Sequence, residues 1–113
     1  MSSNFDPVAD AKTRIREITP TEAMNDKGAV FLDCREPNEH AMVHIPNSVF
    51  IPLGQVGAKV EQQIPRDKKV IVYCARGNRS AVAADTMMKL GYTDVASMSA
   101  GIAGWIDAGG EVE

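Results

Sequence analysis

The sequence has no long apolar segment and only two cysteines. No apolar run approaches the roughly 20 residues that cross a bilayer, and the amino-terminal residues have neither the basic nor the apolar stretch of a secretory signal. We therefore expect a cytoplasmic protein without membrane contact. Cys34 and Cys74 lie far apart, and no histidine pair stands near enough to complete a zinc site by spacing. The sequence predicts neither a metal site nor a cofactor.

An excess of positive charge is also missing. Lysine and arginine number 12 against 15 aspartates and glutamates, which gives a net charge of -3. A general nucleic-acid-binding protein normally carries a basic excess, so we expect no nucleic-acid partner. The length of 113 residues suits one compact domain. We interpret residues 1–113 as a single domain in which residues 1–14 form an N-terminal arm or a short helix.

Short apolar segments alternate with helical patterns along the chain. Predicted strands cover residues 16–18, 29–34, 48–51, 69–73 and 94–97. Predicted helices cover residues 20–28, 37–43, 53–63, 80–90 and 102–108. This alternation is typical of an α/β fold with a mostly parallel central sheet flanked by helices. Ligands of such sheets bind beyond the carboxyl ends of the strands, so the residues after Tyr73 are the first candidates for a site.

The segment after Tyr73 combines a cysteine, a turn and two arginines ahead of a predicted helix. Its residues are Cys74, Ala75, Arg76, Gly77, Asn78, Arg79 and Ser80. Gly77 and Asn78 tolerate positive φ, so the loop can curl back and point its N–H groups inward as an anion-binding nest. The helix N-terminus adds partial positive charge, and the two guanidinium groups add full charges.

These features together favour a thiolate over a thiol. Cysteines at helix N-termini beside cations have pKa values well below that of a free cysteine. We therefore predict that Cys74 is an anionic nucleophile and that its surroundings attract an anionic substrate. A cysteine that ends a strand can also be a buried structural residue. That interpretation explains neither the arginines nor the glycine-containing turn, so we favour the nucleophile.

Four segments, in this order, resemble motifs of the rhodanese family. Residues 32–36 resemble its Asp-x-Arg stretch after a buried strand, and residues 44–48 resemble its His-Ile-Pro segment. Residues 74–79 resemble its six-residue active-site loop, and residues 100–105 resemble its Gly-Gly-x-x-x-Trp segment. The resemblance extends over most of the chain and implies a rhodanese-like fold.

The resemblance also implies a reaction. Cys74 would take a sulfane sulfur from thiosulfate or a similar small anionic donor, hold it as a persulfide, and pass it to cyanide or a thiol acceptor. The substrate-binding residues would be Ala75, Arg76, Gly77, Asn78, Arg79 and Ser80. Supporting residues would be Asp33, Arg35 and Trp105. Asp33 and Arg35 look like a structural pair that ties the end of a strand to its neighbours, and Trp105 would either wall the pocket or belong to the core.

Two alternative functions use the same loop. The first is a sulfur-carrier or relay module that hands its sulfur to a protein partner. The second is a phosphatase or arsenate reductase of the same fold. Phosphatases of this kind use Cys-x5-Arg, whereas four residues separate Cys74 from Arg79. The shorter loop favours a single sulfur atom over a tetrahedral phosphoryl group.

Four positions depart from the family pattern. Val43, Asn47 and Ala100 stand where the family has glycines, so the loop shapes there are expected to differ. Cys34 stands where an aliphatic residue is common. We interpret Cys34 as a core residue, with a second thiol near the site as the alternative.

Overall fold

The apolar segments of the sequence form one parallel sheet. The structure is a computed structural model that describes residues 4–113, and in that part of the chain five strands pair in the order β1-β5-β4-β2-β3. The strands are β1 (Arg16–Ile18), β2 (Val30–Asp33), β3 (Val49–Phe50), β4 (Val70–Tyr73) and β5 (Val95–Met98). Every pairing is parallel, which confirms the predicted α/β class and sheet type.

Helices connect the strands. They are α1 (Pro7–Lys12), α2 (Pro20–Met24), α3 (Pro37–Met42), α4 (Leu53–Gln63), α5 (Arg79–Lys89) and α6 (Gly101–Asp107). Helix α1 lies within the predicted N-terminal arm or helix, whose residues 1–3 are outside the described residues. Among residues 4–113, no helix is both long enough and apolar enough to cross a membrane.

The central strand β4 separates two cores because its side chains alternate between the faces of the sheet. Val70 and Val72 pack on one face with residues of α4 and α5. Ile71 and Tyr73 pack on the other face, in the core that includes Trp105 of α6. All four residues of β4 are buried, as expected of a parallel strand covered by helices on both sides.

Helix α2 begins as its sequence predicts but ends early. The hydroxyl of Thr19 accepts a hydrogen bond from the Glu22 N–H at 3.1 Å, and the Glu22 carboxylate accepts one from the Thr19 N–H at 2.9 Å. This capping box confirms the predicted start. The predicted end at Gly28 is wrong, because the helix stops at Met24. The turn that follows carries Asp26, which forms an ion pair with Lys69 next to β4.

Candidate active site

Cys74 follows β4 directly and lies inside a loop that curls around its sulfur. We call residues 74–80 the active-site loop. The Sγ atom accepts hydrogen bonds from the N–H groups of Gly77 at 3.1 Å and Ser80 at 3.3 Å, and the Ser80 hydroxyl lies 3.5 Å away. Gly77 has a φ of 97°, which brings the chain back toward the sulfur. Asn78 has a φ of -87°, so of these two residues only Gly77 uses a positive φ to turn the chain back.

The loop stabilises the thiolate form of Cys74. Burial is the largest influence on its pKa and raises it, because a charged sulfur loses water. The hydrogen bonds from the Ser80 hydroxyl and from the N–H groups of Ser80, Arg76 and Gly77 together outweigh burial, so the pKa of Cys74 is lowered. The electrostatic support thus comes first from the backbone nest and one hydroxyl.

A second serine lies behind the first. The Ser97 hydroxyl on β5 is 2.8 Å from the Ser80 hydroxyl, and both residues are fully buried. A thiolate accepts hydrogen bonds and donates none, so Ser80 must direct its proton to Cys74. Ser97 can then donate to the free lone pairs of the Ser80 oxygen. Sequence analysis missed Ser97, because a serine in a buried strand carries no motif of its own.

Helix α6 supports the loop from outside. The N–H of Ile102 donates to the Cys74 carbonyl at 2.9 Å, and the N–H of Ala103 donates to the Ala75 carbonyl at 3.3 Å. Gly101 permits this approach, because a Cβ atom at its position would lie 2.4 Å from the carbonyl carbon and oxygen of Ala75. The preceding Ala100 adopts a φ of 63°, a conformation that favours glycine.

The other two glycine replacements have simple structural outcomes. Asn47 adopts a φ of 64°, the left-handed conformation that asparagine tolerates better than most residues. Val43 lies in extended backbone with a φ of -162°, so its side chain meets no conformational conflict.

The two arginines of the loop differ in their contacts. Arg79 donates to both carboxylate oxygens of Glu39 on α3, at 2.7 and 3.0 Å. This bidentate pair lowers the pKa of Glu39 to about 2, chiefly through the hydrogen bond from Arg79. Arg76 is exposed, and its guanidinium has no ion-pair partner within residues 4–113. Sequence analysis missed Glu39, whose distance from Arg79 along the chain hides the contact.

Lys12 adds positive charge beside the loop. Its ammonium group donates to the side-chain oxygen of Asn78 at 3.5 Å and lies 3.9 Å from the Glu17 carboxylate. The N-terminal helix α1 therefore contacts the active-site loop at Asn78.

Asp33 and Arg35 form a buried pair at the end of β2. The Asp33 carboxylate accepts bonds from the Arg35 guanidinium at 2.8 and 3.0 Å, and from the His40 ring at 2.8 Å. Arg35 also donates to the Val43 carbonyl at 2.6 Å. The pair therefore ties the end of β2 to His40 within α3 and to Val43, which follows the helix. Asp33 occupies the same register position as Tyr73, whose side chain lies on the sheet face opposite Cys74.

Trp105 also lies on the opposite face. Its ring packs against Phe31 with centroids 5.4 Å apart, and its indole N–H donates to the Glu111 carbonyl at 2.8 Å. Trp105 is a core residue in this arrangement and lies across the sheet from Cys74. Within the described chain, no group of three or more histidine, cysteine or acidic side chains is placed to hold a metal ion.

Comparison with known proteins identifies the family of this chain. Residues 20–108 match the family model of the rhodanese-like domain, which covers most of the chain. The chain belongs to the rhodanese family. The thiosulfate sulfurtransferase GlpE of Pseudomonas syringae is 33% identical over 95 residues, covering 82% of this chain and 89% of that protein. The family identity confirms the resemblance seen in the four motifs.

Two further similarities bear on the choice of function. The candidate sulfur carrier protein YrkF of Bacillus subtilis is 36% identical over 81 residues; the match covers 72% of this rhodanese-family chain and 43% of YrkF. A solved structure from Rhodopseudomonas palustris, a protein of unknown function described as a candidate tyrosine phosphatase, superposes with a TM-score of 0.86 at 29% identity. It covers 100% of this chain and 98% of that one. This rhodanese-family chain thus spans less than half of one relative and almost all of others.

Proposed function

We propose that this protein is a sulfurtransferase that moves a sulfane sulfur from a small anionic donor such as thiosulfate to a thiol or cyanide through a persulfide on Cys74. The observation that carries the proposal is the set of donors around Sγ: two N–H groups and the Ser80 hydroxyl. They lower the pKa of Cys74 and so favour its thiolate, which is the nucleophile that the reaction needs.

The reaction has two displacements at sulfur. In the first, the Cys74 thiolate attacks the outer sulfur of thiosulfate, the S–S bond breaks, and sulfite leaves with the bonding electrons. In the second, the acceptor thiolate or cyanide attacks the terminal sulfur of the persulfide, and Cys74 leaves as a thiolate. The terminal sulfur of the persulfide is itself an anion, so the N–H groups of residues 75–80 can stabilise it as they stabilise the thiolate.

The two arginines have separate roles in this proposal. Arg76 is exposed and unpaired within the described residues, so its guanidinium is available to an incoming dianion. Arg79 is held by Glu39 and therefore acts as a positioning residue that ties the active-site loop to α3. Arg76→Ala should raise the KM for thiosulfate with little change in kcat, whereas Arg76→Lys should recover part of the loss.

Intact-protein mass spectrometry tests the proposal directly. The purified protein is incubated with thiosulfate, with Cys74→Ser as the control. We expect a gain of one sulfur atom that disappears on adding cyanide and is absent from the variant. If no sulfur is gained and an aryl phosphate is hydrolysed, the phosphatase alternative replaces the proposal.

A sulfur-carrier role is the second candidate, and the similarity to YrkF favours it. Both roles require the Cys74 persulfide, but they differ in how fast a small acceptor removes the sulfur. Single-turnover transfer from the isolated persulfide to cyanide and to small thiols separates them. Fast transfer supports the enzyme, whereas a persulfide that forms readily and resists small acceptors supports the carrier.

A further inference from the structure

The two cysteines of this chain end neighbouring strands in the same register. Asp33 of β2 and Tyr73 of β4 are paired Cα positions in the parallel ladder. The ladder continues for one more step, because the N–H of Cys34 donates to the Tyr73 carbonyl at 3.1 Å. Cys34 and Cys74 are the next residues on their respective strands, so they lie beside each other.

The two side chains also face the same way. In-register residues of adjacent parallel strands share a face of the sheet, and both cysteines belong to the core that α4 and α5 cover. Neighbouring strands lie about 4.8 Å apart. Disulfides join residues whose Cα atoms are about 4.4 to 6.8 Å apart, and the spacing of neighbouring strands falls within that range.

The pKa values of the two thiols are shifted in opposite directions, upward for Cys34 and downward for Cys74. Both residues are free cysteines, and Cys34 is fully buried. Burial raises the pKa of Cys34, and the nearby negative charge of Cys74 raises it further. Cys34 therefore stays protonated, with its sulfur 3.5 Å from the Tyr73 carbonyl, and leaves Cys74 as the reactive sulfur.

We propose that Cys34 is a resolving thiol that forms a reversible intramolecular disulfide with Cys74 when a peroxide oxidises Cys74. In the first step the Cys74 thiolate attacks one oxygen of the peroxide, and an S–O bond forms as the O–O bond breaks. Cys74 becomes a sulfenic acid, and the hydroxide that leaves is protonated to water. In the second step the Cys34 sulfur attacks the Cys74 sulfur, its proton joins the departing oxygen, and water leaves as the S–S bond forms. External thiols reverse the disulfide by exchange.

This chemistry protects the nucleophile. A thiolate stabilised by a nest of N–H groups is prone to oxidation beyond the sulfenic acid, and the sulfinic and sulfonic acids are not reduced by ordinary thiols. A neighbouring thiol that captures the sulfenic acid stops oxidation at a recoverable stage. Sulfur transfer by Cys74 halts while the disulfide persists. The inference rests on the same reactive Cys74 thiolate as the proposed function.

The test treats the reduced protein with hydrogen peroxide, blocks free thiols with N-ethylmaleimide in denaturant, and measures intact mass. We expect a species two hydrogens lighter that takes up no maleimide, and a doubly labelled species after reduction with dithiothreitol. Peptide mapping without reduction should identify the Cys34–Cys74 link. Accumulation of sulfinic or sulfonic acid with no linked peptide, or a link only between two chains, would overturn the proposal.

Two variants provide the comparison. Cys34→Ser and Cys34→Ala, each first checked for folding by circular dichroism, should lose the disulfide and accumulate sulfinic and sulfonic acid at Cys74 that dithiothreitol does not reverse. Variants that resist overoxidation as well as the native protein would contradict the role of Cys34. If one or both variants fail to fold, peptide mapping of the native protein still tests the proposal, because it shows whether the Cys34–Cys74 disulfide forms.

The same preparations separate this inference from the proposed function. Thiosulfate should still load a persulfide onto Cys74 in the Cys34 variants. A native protein that forms the disulfide but gains no sulfur from any donor would refute the sulfur-transfer proposal and leave the resolving thiol intact. A native protein that gains the persulfide but never forms the disulfide would refute the resolving thiol and leave sulfur transfer intact.

Discussion

Replacement of Ser80 by alanine isolates one contribution to the reactivity of Cys74. The substitution removes the hydroxyl that lies 3.5 Å from Sγ but leaves the Ser80 N–H, which donates to the same sulfur at 3.3 Å. The backbone nest therefore survives. The only intended change at the sulfur is the loss of one hydrogen bond to the charged form.

The expected magnitude follows from that bond. Hydrogen bonds to charged groups contribute about 1.5 to 3 kcal/mol, and the long contact places this one at the lower end. Since about 1.4 kcal/mol corresponds to one pH unit, the midpoint of the pH profile for thiolate reactivity should move upward by about one unit in Ser80→Ala. The direction is upward because the lost bond favoured the thiolate.

The assay is the rate of Cys74 alkylation by iodoacetamide as a function of pH. Ser97→Ala should move the midpoint in the same direction but less, because Ser97 acts only by orienting the Ser80 hydroxyl at 2.8 Å. Ser99→Ala is the matched control: its hydroxyl donates to the Ile18 carbonyl, so the midpoint should not move. An unchanged midpoint in a folded Ser80→Ala protein would refute the role of the hydroxyl and leave the N–H groups as the sole cause.

Three further predictions concern stability. Gly101→Ala should destabilise the protein by about 3 kcal/mol in urea unfolding, since its Cβ would overlap the active-site loop at a positive φ. Gly54→Ala is the control and should not destabilise it, because a Cβ there would have no described atom within 4 Å apart from its chain neighbours and the backbone of its own helix. A double-mutant cycle on Glu39 and Arg79 should give a coupling energy of about 1 kcal/mol; a value near zero would refute their pairing. The Arg14 and Lys89 ion pairs of Asp85 lower its pKa from 3.8 to about 2, and that of Glu39 falls from 4.5 to about 2. The contribution of these two carboxylates to the free energy of unfolding should be complete above pH 4.5 and lost as the pH falls toward 2. If Asp85→Asn and Glu39→Gln lose as much stability as the native protein in the same acid titration, this prediction is contradicted.

Local patterns in the sequence were sufficient to predict most of the helices and strands. Helix α4 spans Leu53–Gln63, the same residues that its sequence predicts, and β1 spans the predicted 16–18. Such agreement is expected because caps, glycines and apolar periodicity act within a few residues. Helix α2 ends before its predicted end at Gly28, and in the turn that follows it Asp26 forms an ion pair with Lys69, a contact between residues far apart in the chain that no local pattern predicts.

The candidate nucleophile could also be found from the sequence, because its surroundings are contiguous. A strand, a cysteine, a glycine turn and a helix start follow one another within residues 70–80. The N–H groups that surround Sγ come from that same short segment. Chain connectivity alone therefore brings these groups together.

Only the tertiary structure decided which distant residues join that loop. The strand order places β2 and β5 on either side of β4, and this brings Cys34 and Ser97 to Cys74 from opposite sides. The same packing assigns Glu39 to Arg79 and places Trp105 on the far face of the sheet. These contacts join residues far apart in the chain, and parallel pairing has no local signal for its partner. The sequence by itself determined the candidate nucleophile and the N–H groups around it, and the order of the strands determined which distant residues surround them.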